Sequence, residues 1–82
     1  MNKEEFIEYL ITFNDKRGNF LPKFINRGLD YWVYINPVVD GLQPSIEFVD
    51  DKVVLTHNQL YGDSESITHT YDEFIELLKN YF

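Results

Sequence analysis

His57 and His69 are the only histidines in the chain. If a turn centres on Asp63, the two face each other across a hairpin. Asp63 or Glu65 would then be the nearest third ligand for a metal. That set is far weaker than a paired-histidine helix motif, and no metal site is expected. Nucleophilic catalysis needs a nucleophile, a base and an orienting group. Ser45, Ser64 and Ser66 fall in loop or turn contexts with no such pattern. Asp50-Asp51 and Asp72-Glu73 are adjacent in sequence, so their carboxylates point apart. They have simpler work as turn and helix-start residues. Gly18, Gly28, Gly41 and Gly62 are scattered and form no phosphate-binding loop. With no Cys there is no thiol chemistry. The reading is a protein that is not an enzyme and needs no cofactor.

Charge carries more. The net charge is −7 over 82 residues. Over residues 1–30, Glu4, Glu5, Glu8, Asp15 and Asp30 are balanced by Lys3, Lys16, Arg17, Lys23 and Arg27. From residue 31 on, Lys52 and Lys79 face Asp40, Glu47, Asp50, Asp51, Asp63, Glu65, Asp72, Glu73 and Glu76. The whole excess therefore falls in the second part of the chain. An acidic field repels nucleic acid, whose binding requires Lys and Arg on phosphates. It attracts basic clefts and speeds encounter with them. The same charge also keeps a small protein soluble.

These residues must be positioned by secondary structure. Residues 2–14 read as an amphipathic helix. Asn2 caps it, with Glu5 three positions on. Phe6, Leu10 and Phe13 form its apolar stripe, widened by Ile7 and Ile11. Lys16, Arg17 and Gly18 stop it. Residues 19–28 are irregular, broken by Pro22 and punctuated by Gly28. Phe20, Leu21, Phe24 and Ile25 make them a docked connector, with room for a short strand or helical turn.

Residues 29–36 read as a strand rich in aromatic and β-branched types. Pro37, Asp40-Gly41 and Pro44 mark a loop. Residues 45–57 form a hairpin. A two-residue turn at Asp50-Asp51 pairs Val49 with Lys52, Phe48 with Val53 and Ile46 with Leu55, which gathers the apolar residues on one face. A three-residue loop would put Glu47 opposite Leu55, a costly slip where a face is buried. Residues 65–70 are a short fourth strand. Residues 71–81 form the last helix, capped by Thr70 and Glu73. Phe74, Leu77, Leu78 and Tyr81 share a face, with Ile75 beside them. The expected fold is α+β over residues 1–82 as a single compact domain: an N-terminal helix, a three- to four-stranded antiparallel sheet and a C-terminal helix.

Two helices rarely cover both faces of so small a sheet. If Tyr31, Val33 and Ile35 face the helices, Trp32 and Tyr34 lie on the open side with Val49 and Val54. Such a patch usually marks an interface. With reversed parity, Trp32 becomes a core anchor.

Composition sets the class. Hydrophobic residues make up 44% and aromatics 17%, with seven Phe, six Tyr and one Trp. That is too apolar for a disordered chain. A domain this small buries only about 60–65% of its unfolded surface, so large side chains must supply its core. Absence of Cys fits a reducing interior. No apolar run nears the ~20 residues of a membrane span, and the charged start is not expected to be a signal peptide. A cytoplasmic location is expected.

In size, acidity, absence of Cys and helix–sheet–helix order, the chain resembles small acidic inhibitors encoded by phages and mobile elements, such as anti-CRISPR proteins. It also resembles immunity proteins that neutralise nucleases. The resemblance covers no motif. It implies carboxylates on a rigid scaffold occupying a groove that normally holds phosphates. The expected function is therefore a non-enzymatic binding protein that blocks a basic, nucleic-acid-handling partner such as a nuclease. Neither nucleic acid nor a membrane is bound directly. Asp40, Glu47, Asp50, Asp51, Asp63 and Glu65 supply charge, and Trp32, Tyr34 and Tyr61 supply apolar anchors. The alternative is a homodimeric accessory or structural domain with no catalytic role, closed over Trp32 and Tyr34.

Overall fold

Asn2 starts the first helix: its side-chain Oδ1 accepts a 2.8 Å bond from the Glu5 amide. In a computed structural model, which describes residues 1–18, 21–37, 43–57 and 65–82, this helix (α1) spans Lys3–Arg17. It outruns the expected end by one turn and stops where Gly18 takes a φ of 74°. Five strands follow: β1 (Lys23–Gly28), β2 (Tyr31–Ile35), β3 (Ser45–Val49), β4 (Lys52–His57) and β5 (Glu65–His69). The second helix (α2) spans Tyr71–Tyr81. The α+β architecture is as expected, with five strands rather than three or four.

The added strand is β1, within the expected connector. Its Lys23, Phe24 and Ile25 pair with Ile35, Tyr34 and Val33 of β2. The register shifts between Asn26 and Gly28, where a bulge leaves Arg27 as an extra residue. The turn into β2 uses Leu29 and Asp30, and Asp30 adopts a φ of 60°.

The sheet is an antiparallel meander in the order β1-β2-β3-β4-β5. The β3–β4 hairpin has the expected register: Val49 faces Lys52, Phe48 faces Val53 and Ile46 faces Leu55. Asp50 carries the left-handed φ, at 54°.

Both helices pack on one face of the sheet. Paired residues share a face, so the core follows from the register. Phe24, Trp32, Ile46, Phe48, Val53 and Leu55 lie under the helices and are buried. Phe6 and Leu10 come from α1, and Tyr71, Phe74, Ile75 and Leu78 from α2. Phe6 touches Phe48, Tyr71 and Phe74, with ring centroids 5.1–5.7 Å apart. Phe24 meets Tyr34 at 4.8 Å, Phe82 at 5.7 Å and Phe74 at 5.9 Å. Phe74 therefore joins two aromatic clusters. Tyr81, expected on the apolar face of α2, is 79% exposed.

This face assignment decides the open parity of β2 for the reversed alternative, with Trp32 as a core anchor, and removes Trp32 and Tyr34 from an exposed patch. Trp32 pairs with Ile46 and is 7% exposed. Tyr34 is half-buried against Phe24 and Phe82. Both point toward the helices, and neither lies on an open patch. Tyr31, Val33 and Ile35 occupy the opposite face with Ile25, Val49 and Val54. No helix of the described residues is long and apolar enough to cross a membrane.

Candidate functional site

Two turns and two helix starts meet at one end of the sheet. A meander returns every second turn to the same end, so Leu29-Asp30 and Asp50-Asp51 are neighbours. The Phe48 amide donates a 3.0 Å bond to the Asp30 carbonyl and ties them together. The start of α1 is fixed there by an ion pair between the Lys3 ammonium and the Asp30 carboxylate. The same ammonium lies 5.3 Å from the centroid of the Phe48 ring, a cation–π contact. The start of α2 joins them, because Tyr71 stacks on Phe6 at 5.1 Å.

The sequence puts acids at each of these places for local reasons. Glu4 and Glu5 on α1, and Asp72 and Glu73 on α2, complement the positive ends of the helix dipoles. Asp30 and Asp50 tolerate left-handed turn positions. Together with Asp51 they outnumber the cations nearby, Lys3, Arg27 and Lys52. At the other end of α1, Arg17 lies 4.3 Å from the Phe13 ring centroid and donates to the Pro22 carbonyl. Lys16 and Lys23 share that end of α1 and β1.

Not all of these carboxylates are available. Asp30 is held by Lys3. Glu73 accepts a 3.0 Å bond from the Thr70 amide, while Thr70 Oγ1 accepts from the Glu73 amide at 3.2 Å. The Thr70 amide, then its hydroxyl, holds the Glu73 carboxyl below the usual glutamate range. Asp50 and Asp51 are exposed at the tip of their turn. Neither is in an ion pair with another described residue.

Tyr71 lies beneath this end. It is 5% exposed, and its hydroxyl has no hydrogen-bond partner among the described residues. Burial pushes its pKa up. Asp51 adds to the rise, Lys3 opposes it and Asp30 adds to it.

The expected site residues divide. Asp50 and Asp51 lie at the acidic end. Glu47 is nearby, exposed on the open face between Tyr31 and Val54. Glu65 stands at the far end of β5, opposite His57, well away from the Asp50-Asp51 turn. Trp32 is in the core and Tyr34 is beside it. Asp40, Asp63 and Tyr61 lie outside the described residues. Asp30, Asp72 and Glu73 joined the acidic end without being expected there. The available signal is the strand count: once residues 23–28 are a strand of an antiparallel meander, the Leu29-Asp30 turn, the Asp50-Asp51 turn and the end of β5 that leads into Asp72-Glu73 all fall at one end.

The histidines do not meet. His57 pairs with Glu65, and His69 pairs with Val53, so four strand positions separate them. No group of three or more His, Cys, Asp or Glu among the described residues could hold a metal ion. Comparison with known proteins returns no matching family model, no matching curated protein and no matching solved structure.

Proposed function

We propose that this chain is a non-enzymatic binding protein that blocks a basic, nucleic-acid-handling partner with the acidic end of its sheet, as anti-CRISPR-like and nuclease-immunity-like inhibitors do. The observation that carries the reading is the exposed Asp50-Asp51 turn, unpaired among the described residues and flanked by the acidic starts of both helices. A partner's Lys and Arg would form charge-assisted bonds with these carboxylates. The rigid hairpin beneath them limits the ordering cost of binding.

The apolar anchors belong elsewhere than at Trp32. Leu29 is 95% exposed beside Asp30, and Tyr31 is 41% exposed on the open face. Both border the acidic end and suit a contact centre with a charged rim.

The test is affinity capture from the native host, washed at rising salt, with the chain and a variant carrying Asp50→Asn and Asp51→Asn. The reading expects a basic nucleic-acid-handling protein, released at moderate salt and not retained by the variant. Capture indifferent to salt, or equal capture by the variant, would sink it.

A further inference from the structure

The two edges of the sheet are finished differently. An edge strand presents unpaired backbone groups and is normally blunted by Pro, Lys, a bulge or a covering element. β1 carries all four. Pro22 precedes it, Lys23 opens it and the bulge at Arg27 distorts its end. The Asn14 side chain of α1 covers its middle: Oδ1 accepts from the Phe24 amide at 2.9 Å, and Nδ2 donates to the Phe24 carbonyl. That amide occupies the place of a neighbouring strand.

β5 has none of these devices among the described residues. It reads Glu-Ser-Ile-Thr-His, without Pro, Gly, Lys or a bulge. Its first four residues are exposed. Ile67 pairs with Leu55, which puts it on the helix-bearing face at the rim of the core, yet it is 44% exposed.

We infer that β5 pairs antiparallel with β5 of a second copy of this chain, about a two-fold axis through Ile67. The sequence is self-complementary in that register. Glu65 faces His69 of the second copy, Ser66 faces Thr68, and Ile67 faces itself. Each cross-strand pair therefore sets a carboxylate acceptor opposite an imidazole N–H donor, hydroxyl with hydroxyl, or apolar with apolar. The two-fold axis repeats the Glu65–His69 and Ser66–Thr68 pairs and passes through the Ile67 pair, as an isologous interface requires. The two five-stranded sheets become one continuous sheet, and the paired Ile67 side chains extend the core. The Asp50-Asp51 turn joins β3 to β4 and the start of α1 packs beside Asp30, so neither is part of the paired edge.

Net charge of −7 on each copy opposes association at low salt. Added salt screens that repulsion. Self-association therefore strengthens with salt, while capture of a basic partner weakens with it, and the two readings fail separately.

The experiment is sedimentation equilibrium of the chain at low and moderate salt, with Ile67→Lys and with Glu65→Lys alone and combined with His69→Glu. The expected result is a dimer favoured by salt, lost in Ile67→Lys, weakened several-fold in Glu65→Lys and restored by the combined swap. Circular dichroism checks that each variant is folded. Should Ile67→Lys unfold, the swap pair decides. In the cysteine-free chain, Ile67→Cys should also cross-link to itself under mild oxidation, whereas Leu29→Cys should not. A monomer at hundreds of micromolar, or a dimer indifferent to Ile67→Lys and the swap, overturns the inference.

Discussion

Trp32 on β2 stands directly opposite Ile46 on β3, and both are buried beneath the helices. Its neighbour Tyr31 points to the other face and is 41% exposed. Trp32→Ala should cost about 3–5 kcal/mol, by lost transfer energy and the cavity left behind. For a domain holding about 5–15 kcal/mol in all, that loss is close to unfolding. Tyr31→Ala should stay within about 1 kcal/mol, as expected for a half-exposed site. Urea denaturation of both variants checks the contrast. Equal losses would contradict the parity of β2.

Asp50→Gly should stabilise the chain. Asp50 holds a φ of 54° at the first central position of a two-residue turn. Glycine occupies such a position without the steric cost that an L-residue carries. Part of the gain is lost to the greater freedom of glycine in the unfolded chain. A net gain of up to about 1 kcal/mol is expected, read as a higher urea midpoint. Asp30→Gly, at a φ of 60°, should gain less, because it gives up the ion pair with Lys3. A gain at Asp30 larger than at Asp50 would mean that the ion pair adds nothing.

These turns also show what the sequence made legible. The helix caps at Asn2 and Thr70 and the β3–β4 register could be read directly, because each depends on neighbours within a few residues. The parity of β2 could not. Tyr31, Val33 and Ile35 are as apolar as Trp32 and Tyr34, so alternation is silent and only the pairing with Ile46 decides. For β1 the sequence leaves a short strand and a helical turn both open, because Pro22 and Gly28 interrupt any pattern; the pairing with β2 and the Asn14 bonds decide for the strand. The charge boundary at residue 31 does not survive folding either. Glu4, Glu5 and Asp30 belong to the neutral part of the chain, yet they stand at the acidic end with Asp50 and Asp51.

Tyr71→Phe should also stabilise. The Tyr71 hydroxyl is buried with no partner among the described residues, beside the like-signed fields of Asp51 and Asp30. An unsatisfied buried hydroxyl costs roughly 1–3 kcal/mol, and phenylalanine keeps the stacking on Phe6. The pH dependence has a definite sign. Ionisation is harder in the folded state, so the contribution is full below the ordinary tyrosine value of 10.0 and is lost as pH rises through the raised one. The variant should lose this part of the alkaline decline. A less stable variant would show that the hydroxyl is bonded after all.

Thr70 and Glu73 give the opposite pH signature. Their reciprocal bonds close the first turn of α2, which supplies Phe74 to both aromatic clusters. Thr70→Ala removes the hydroxyl that caps the Glu73 amide and should cost about 1 kcal/mol. The lowered Glu73 pKa means that its contribution is complete above the ordinary value of 4.5 and is lost as pH falls through the lowered one. In Thr70→Ala the backbone amide can still donate to the carboxylate, so the Glu73 pKa should rise only part of the way back. A carbon-13 NMR titration of the Glu73 carboxyl in the two proteins measures that step directly. An unchanged midpoint would assign the whole depression to the Thr70 amide and leave the hydroxyl with the cap alone.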